Sequence, residues 1–358
     1  MKNLLFAIFV IAFSFTQAQK QNNPHTNLVM TTFNGKTPKS NTLLGSFSNE
    51  NPAGITYNPS GIFINSGVYM SNSEEYSKTS NSPLSTGGNF SLKNKFFFSV
   101  EANKIEIKKK FLADGFSNNN VTYNNHKQLE NFSSDNLNIA FAYKFSPKLS
   151  AGFSTQFLEN ELIETNRSQG ALVDKNSQAQ YIIPTIGATY QINDKIRLGI
   201  QHQFQSLQNK FESEWTAFSE KIPYKNAFQF AYFYKKNAVE FDIEHINTSD
   251  LGYDLKDTYS IGIGYNRKQS DNFSFMAGAK LNTNPYEKLN PNFSISTGVN
   301  YTFWDNLFVA PSINFIYNQS YFYLFTYDSL PLTFQKKQEF KDWNFNLSIG
   351  YRFNKKSL

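Results

Sequence analysis

The 358 residues include no cysteine, which excludes a structural disulfide, a thiol nucleophile and any thiolate metal site. Histidine is scarce too. The four are His25, His126, His202 and His245, and none has metal-ligand spacing with another histidine or a carboxylate. They also fail to assemble the Ser/His or Asp/His constellation of a hydrolase, so neither an enzyme nor a metal or other cofactor is expected. Beyond the N-terminus, no stretch is long and apolar enough for a transmembrane helix. No phosphate-cradling glycine loop, helix-turn-helix or zinc pattern occurs, so nucleic-acid binding has no support.

What is present is unusual in combination. Mean hydropathy is low at −0.48, yet aromatics make up 17%, with 37 Phe and 20 Tyr. A barrel wall reconciles the two, because lipid-facing and lumen-facing residues alternate and cancel in any average. The chain opens with Lys2, an apolar run from Leu4 to Phe15 and small residues at Thr16 and Ala18. That is a secretory signal over 1–18, with cleavage before Gln19.

The pattern is clearest in Trp343-Asn-Phe-Asn-Leu-Ser-Ile-Gly-Tyr-Arg-Phe353, where apolar and polar residues alternate strictly. Such a strand has one greasy face and one wet face. Similar runs begin at Ile62–Met70 and then arrive in pairs. Thr86–Leu92 precedes Phe96–Asn103, and Leu137–Phe145 precedes Leu149–Phe157. The pairs continue through 181–205, 228–246, 259–282 and 293–318. The total is about fourteen strands, most near the roughly 9–11 residues that cross a membrane at a tilt. Short polar turns alternate with longer stretches, read as loops at 71–85, 104–136, 158–180, 206–227, 247–258, 283–292 and 319–342. Short turns in the periplasm and long loops outside are the arrangement of an outer-membrane barrel, and an even strand count puts both termini in the periplasm.

Strands running into the short turns end in aromatics on their apolar face, among them Tyr143 with Phe145, Tyr190, Tyr232 with Tyr234, Tyr301 with Phe303 and Tyr351 with Phe353. Rings at one level form an interfacial girdle. The opposite parity gives the luminal candidates Glu101, Lys144, Arg197, Glu240, Asp242, Glu244, Lys280 and Arg352. Glu240, Asp242 and Glu244 form a same-face acidic ladder, either a cation-attracting wall or the partners of luminal Lys and Arg. His202 and His245 fall on the apolar parity near the outer ends, at the interface. Lys108-Lys109-Lys110 lie in the longest loop, as a solvated face or a contact for an anionic partner such as lipopolysaccharide.

Residues 19–60 do not alternate and have no core of their own. Asn51-Pro52-Ala53-Gly54 and Asn58-Pro59-Ser60-Gly61 are two copies of a turn-forming sequence entering the first strand. With Phe33-Asn-Gly35, Thr37, Ser40 and Gly45-Ser-Phe47, they resemble the FadL/TodX-like family of outer-membrane transport proteins, especially its Bacteroidetes-type members. The resemblance implies a fourteen-stranded barrel, a luminal plug, a lateral opening and passive uptake of hydrophobic small molecules. A second resemblance, through the Asn-Pro-Ala segment, is to PorP/SprF-like barrels of type IX secretion and implies an anchor for protein partners. The expected organisation is therefore a signal over 1–18, a periplasmic or luminal plug-like segment over 19–60, an all-β transmembrane antiparallel barrel over 61–353 and a periplasmic tail over 354–358. Expected partners are outer-membrane lipid, a hydrophobic ligand and the barrel assembly machinery. Tyr351 and Phe353 resemble the C-terminal aromatic signal that this machinery reads.

Overall fold

The computed structural model describes residues 51–353 except 58–59, 73–75, 82–83, 114–115, 119–120, 124–125, 169–170, 214–220, 252–254, 271, 286–288, 304–305 and 324–334. The chain forms a closed antiparallel barrel of fourteen strands. In order they are β1 (Gly61–Asn72), β2 (Tyr76–Asn81 and Leu84–Leu92), β3 (Phe96–Ala113), β4 (His126–Lys144), β5 (Leu149–Ser168), β6 (Ala171–Asn193) and β7 (Ile196–Gln203 and Leu207–Ser213). The second half is β8 (Lys225–Tyr234), β9 (Asn237–Ile246), β10 (Thr258–Lys268), β11 (Phe273–Asn282), β12 (Asn292–Phe303), β13 (Leu307–Tyr323) and β14 (Gln335–Arg352). Each strand pairs with its sequence neighbours, and β14 closes on β1 with Ile62 opposite Tyr351 and Met70 opposite Trp343. Closure leaves the membrane-spanning wall without an open edge, as a barrel in lipid requires.

Side-chain phase follows the sequence pattern. Outward positions such as Ile64, Phe141, Ile200, Ile263, Ile295 and Leu347 are large, apolar and exposed. Inward neighbours such as Asn138, Ser154, Gln201, Asn300, Asn314 and Asn344 are polar and buried. An apolar belt this continuous is a liability in water and the natural surface of a wall in lipid.

The loops expected above the wall are in large part wall. β3 runs to Ala113 and pairs through to His126, so most of 104–136 is ladder. The β5–β6 ladder continues to Ser168 opposite Ala171, and β13–β14 to Tyr323 opposite Gln335. The physical reason lies in solvent. Above the apolar belt both faces are wet, so alternation is no longer demanded, while backbone pairing continues to satisfy N–H and C=O groups. Outward Lys104, Glu106, Asp135 and Glu159 mark this change of environment. The wall is consequently uneven: β6 has 23 residues, whereas β8, β9 and β11 have 10 each.

β7 is interrupted at residues 204–206. The β6 residue facing the break is Pro184, which has no N–H to give. Its carbonyl accepts from the Phe204 N–H at 2.9 Å. Ser206 turns away to residue 222 instead: its N–H donates to the Ile222 carbonyl at 3.0 Å, and its hydroxyl accepts from the Ile222 N–H at 2.8 Å.

Candidate functional site

The first Asn-Pro-Ala-Gly copy folds into the barrel interior. Pro52–Tyr57 is a single short 3-10 helix whose Pro52, Ala53, Ile55 and Thr56 are buried. Asn51 builds its start. Its Oδ1 accepts from the Ala53 N–H at 3.1 Å, and its backbone carbonyl accepts from the Gly54 N–H at 2.8 Å. Proline fixes the first helical φ, and the asparagine side chain closes the turn.

Asn51 also ties this element to the wall. Its Nδ2 donates to the Ala188 carbonyl on β6 at 3.0 Å and the Ile200 carbonyl on β7 at 2.9 Å, with Gln229 Oε1 on β8 at 3.3 Å. The wall makes room by omitting side chains. A Cβ at Gly187 would stand 2.1 Å from Asn51 Oδ1, and one at Gly152 only 2.6 Å from the Pro52 carbonyl carbon. Gly152 and Gly187 face each other across β5 and β6, so together they clear a floor for the incoming backbone. Ile55 is fully buried against Phe97, Ala140 and Ala142 of β3 and β4. Thr56 Oγ1 lies 3.1 Å from Ser150 Oγ, which lies 2.7 Å from Thr189 Oγ1.

At the end of the helix, the Arg197 guanidinium lies 3.4 Å from the Tyr57 ring centroid, and Lys144 Nζ approaches it at 5.5 Å. Arg197 Nε donates to Gln191 Oε1 at 2.9 Å. A cation over an aromatic face contributes about 0.5–2 kcal/mol as desolvation increases. Two luminal candidates named from parity therefore hold the plug-like helix rather than standing free.

The other candidates spread around the inner wall. Glu244 accepts from Lys280 Nζ at 2.5 Å and Ser260 Oγ at 3.0 Å, with Lys225 Nζ 3.9 Å away. Glu244 therefore takes the base-paired form of the two readings of the ladder. Asp242 is buried beside Gly262, where a Cβ would meet its carboxylate at 2.4 Å, and Glu240 is half-buried on the same face. Glu101 is fully buried on β3. Arg352 donates to Thr302 Oγ1 at 3.1 Å and Asn300 Oδ1 at 3.3 Å, and lies over the Phe308 ring.

Of the second turn copy, Asn58 and Pro59 lie outside the described residues. Ser60 and Gly61 lead into β1, and the Ser60 carbonyl accepts from the Phe353 N–H at 2.8 Å. Phe353 packs against Phe90 and Tyr351, each with ring centroids 6.0 Å apart. His25, Phe33-Asn-Gly35, Thr37, Ser40, Gly45-Ser-Phe47, the signal over 1–18 and the tail over 354–358 are likewise outside the description. Lys108–Lys110 and His126 are described in backbone only, on the tall ladders of β3 and β4.

His202 and His245 do lie on the outer surface near the upper boundary. His202 meets Phe204, while His245 packs on Tyr259 at 5.0 Å and contacts Asp257 Oδ2 at 2.8 Å. Although burial opposes it, hydrogen bonds from His245 and Ser249 hold the Asp257 carboxyl below the usual carboxylate range. Among the described residues, no group of three or more His, Asp or Glu is arranged to hold a metal.

The sequence contained a signal for the docking site that parity reading passed over. Gly152, Gly187 and Gly199 occupy inward positions on three consecutive strands. Inward glycines so grouped mark a place where another backbone approaches.

Comparison with known proteins agrees with this architecture. A family described as a protein of unknown function, DUF481, matches residues 216–357. No curated protein matches. Among solved structures, the chain is similar to the Ralstonia pickettii toluene transporter TbuX, with 15% identity over 90% of this chain and 100% of that one and a TM-score of 0.66. It is also similar to a Pseudomonas aeruginosa FadL homologue, with 10% identity over 95% and 100% of the two chains and a TM-score of 0.65. The Pseudomonas putida toluene transporter TodX aligns at 12% identity over 89% and 95%, with a TM-score of 0.62. At these identities the likeness is one of fold.

Proposed function

We propose that the chain is an outer-membrane channel for passive uptake of hydrophobic small molecules, with residues 51–57 as the core of its plug. The observation that carries this reading is the seating of Asn51-Pro-Ala-Gly on glycines inside a closed fourteen-stranded wall. The similar folds of proteins described as toluene transporters support the hydrophobic class of cargo. In this reading the short turns and both termini face the periplasm, and the tall hairpins face outward. Cargo enters at the tall end, meets an inner wall with apolar patches such as Leu158, Tyr181 and Ile183, and passes the plug. The break at 204–206 of β7 beside Pro184 is the weakest part of the wall near that patch and a candidate for a lateral route.

The test is uptake of a labelled aromatic hydrocarbon by intact cells whose outer membrane carries the chain. Uptake above that of cells lacking it is expected. No increase, together with a stable co-purifying protein complex, would favour a secretion-system anchor instead.

A further inference from the structure

The lipid-facing wall is not uniformly convex. At the short-turn end of β2–β5 it sinks into an aromatic groove of about 740 Å³, within the roughly 300–1,000 Å³ of small-molecule sites. Phe90, Phe98, Phe141 and Phe153 form one outward row across four strands. Closer to the turns, Leu92, Phe96 and Tyr143 continue in register to Ala151, which itself faces Ala188. The small side chain at Ala151 lowers the floor, while Phe145 and Phe153 stand exposed on either side. The rings are locked together: Phe96 lies 4.9 Å from Tyr143, and Tyr143 lies 4.8 Å from Phe145 in an edge-on contact. A rigid apolar trough loses little freedom when an acyl chain enters it.

Two short turns border the groove, and both are purely cationic. Lys93-Asn94-Lys95 and Ser146-Pro147-Lys148 contain no acidic residue, and all three lysines are exposed. Among the described residues, no ion pair forms at any of the three. Lys93 also adopts φ 53° and Asn94 φ 53°. Positive φ at both central positions is the type I′ turn, which strand twist favours and which Asn and Gly occupy most cheaply. Lysine sits at the first of these positions despite the cost. Other short turns differ in charge: Asn193-Asp194-Lys195 and Trp304-Asp305-Asn306 each carry an aspartate. Only Lys235-Lys236-Asn237 is similarly basic.

We propose that this groove and its three lysines form a binding site for one anionic glycerophospholipid of the periplasmic leaflet. The acyl chain lies along the phenylalanines over Ala151, and the phosphate sits between Lys93, Lys95 and Lys148. The girdle tyrosine Tyr143 then stands at the glycerol level, where a ring with a polar tip is most at home. The leaflet assignment rests on the periplasmic orientation of the short turns proposed above; the binding measurement itself does not depend on transport.

Native mass spectrometry of the purified full chain, given equal phosphatidylglycerol and phosphatidylethanolamine, tests the site. Wild type should retain phosphatidylglycerol at least tenfold over phosphatidylethanolamine. The variant Lys93→Gln/Lys95→Gln/Lys148→Gln should bring the two lipids to parity, and Ala151→Phe should reduce phosphatidylglycerol retention several-fold by filling the groove. Lys235→Gln/Lys236→Gln/Lys268→Gln removes the same number of charges at another short-turn flank and should stay within twofold of wild type. Heat-modifiable gel mobility reports folding of each variant. The proposal is overturned if the triple variant stays within twofold of wild type, if the control loses as much as the triple variant, or if wild type retains both lipids alike. Selective retention of lipopolysaccharide over phosphatidylglycerol would also overturn it, and would assign the short turns to the other leaflet.

Discussion

Gly187→Ala puts the docking of residues 51–57 under direct test. The added Cβ would lie 2.1 Å from Asn51 Oδ1, while ordinary contact begins at 3.4 Å, so the asparagine head must retreat by about 1.3 Å. Its two bonds to wall carbonyls, at 3.0 and 2.9 Å, do not survive such a shift. At about 0.5–1.5 kcal/mol each, their loss costs roughly 1–3 kcal/mol. A central value of about 2 kcal/mol moves the docked-to-undocked ratio roughly 30-fold. The barrel is untouched, because the methyl group points into the lumen and the ladder is backbone. The absence of native cysteine makes the assay clean: Ala53→Cys introduces the only thiol at a fully buried position. Maleimide labelling of that thiol should accelerate roughly 30-fold in the Gly187→Ala background, with higher single-channel conductance and unchanged heat-modifiable mobility. Labelling and conductance equal to those of the parent, in a folded variant, would refute the reasoning.

Other expectations follow from the same geometry. Asn51→Asp should release the helix more than Asn51→Ala, because a carboxylate cannot donate to the Ala188 and Ile200 carbonyls and is repelled by them; the same labelling assay ranks the two. Ile263→Lys places a charge on the lipid face and should destabilise the barrel by about 2–4 kcal/mol in denaturant unfolding from liposomes, whereas Ile263→Val should cost about 1 kcal/mol or less. Phe353→Ala removes contacts to Phe90 and Tyr351 and should lower the folded fraction in membranes more than deletion of residues 354–358; equal defects would remove Phe353 as the assembly signal. Asp257 has a folded pKa below its unfolded value of 3.8, so its contribution is present above that value and is lost as pH falls through the folded pKa. The rim position limits it to about 1 kcal/mol. The stability gap between wild type and Asp257→Asn should therefore be open at neutral pH and close only as pH falls through the folded pKa, below 3.8.

The membrane-crossing half of the wall was legible because lipid enforces strict alternation. One slipped residue would move Ile349 and Leu347 inward and expose Ser348 and Asn346 to acyl chains, so phase can be read from residue type alone. Above the lipid that demand ends, and Lys104 to Ala113 give no alternating cue although they pair fully with β4. The plug-like helix was legible as a turn but not as a docked element. Its hold on the wall comes from backbone carbonyls at 188 and 200 and from missing side chains at 152 and 187, neither of which has a residue signature that parity detects. Lys144 and Arg197 come from strands whose alternation is easily read, yet their ring partner Tyr57 comes from a segment with no periodicity at all.

The uneven height of the wall has a consequence for solubility outside the membrane. Closure abolishes edges only up to the top of the shortest strands. Above that level the upper piece of β7, Leu207–Ser213, pairs with β6 alone, and β14 above Lys341 pairs with β13 alone among the described residues. These are edge strands in all but name, each a template for another chain to add to. The sequence there reads Gln335-Lys-Lys-Gln-Glu339 on one edge and Gln208-Asn-Lys210 on the other. Lys336 and Lys337 on the first edge and Lys210 on the second disfavour that addition, so these two edges can stand clear of the bilayer without recruiting a neighbouring barrel.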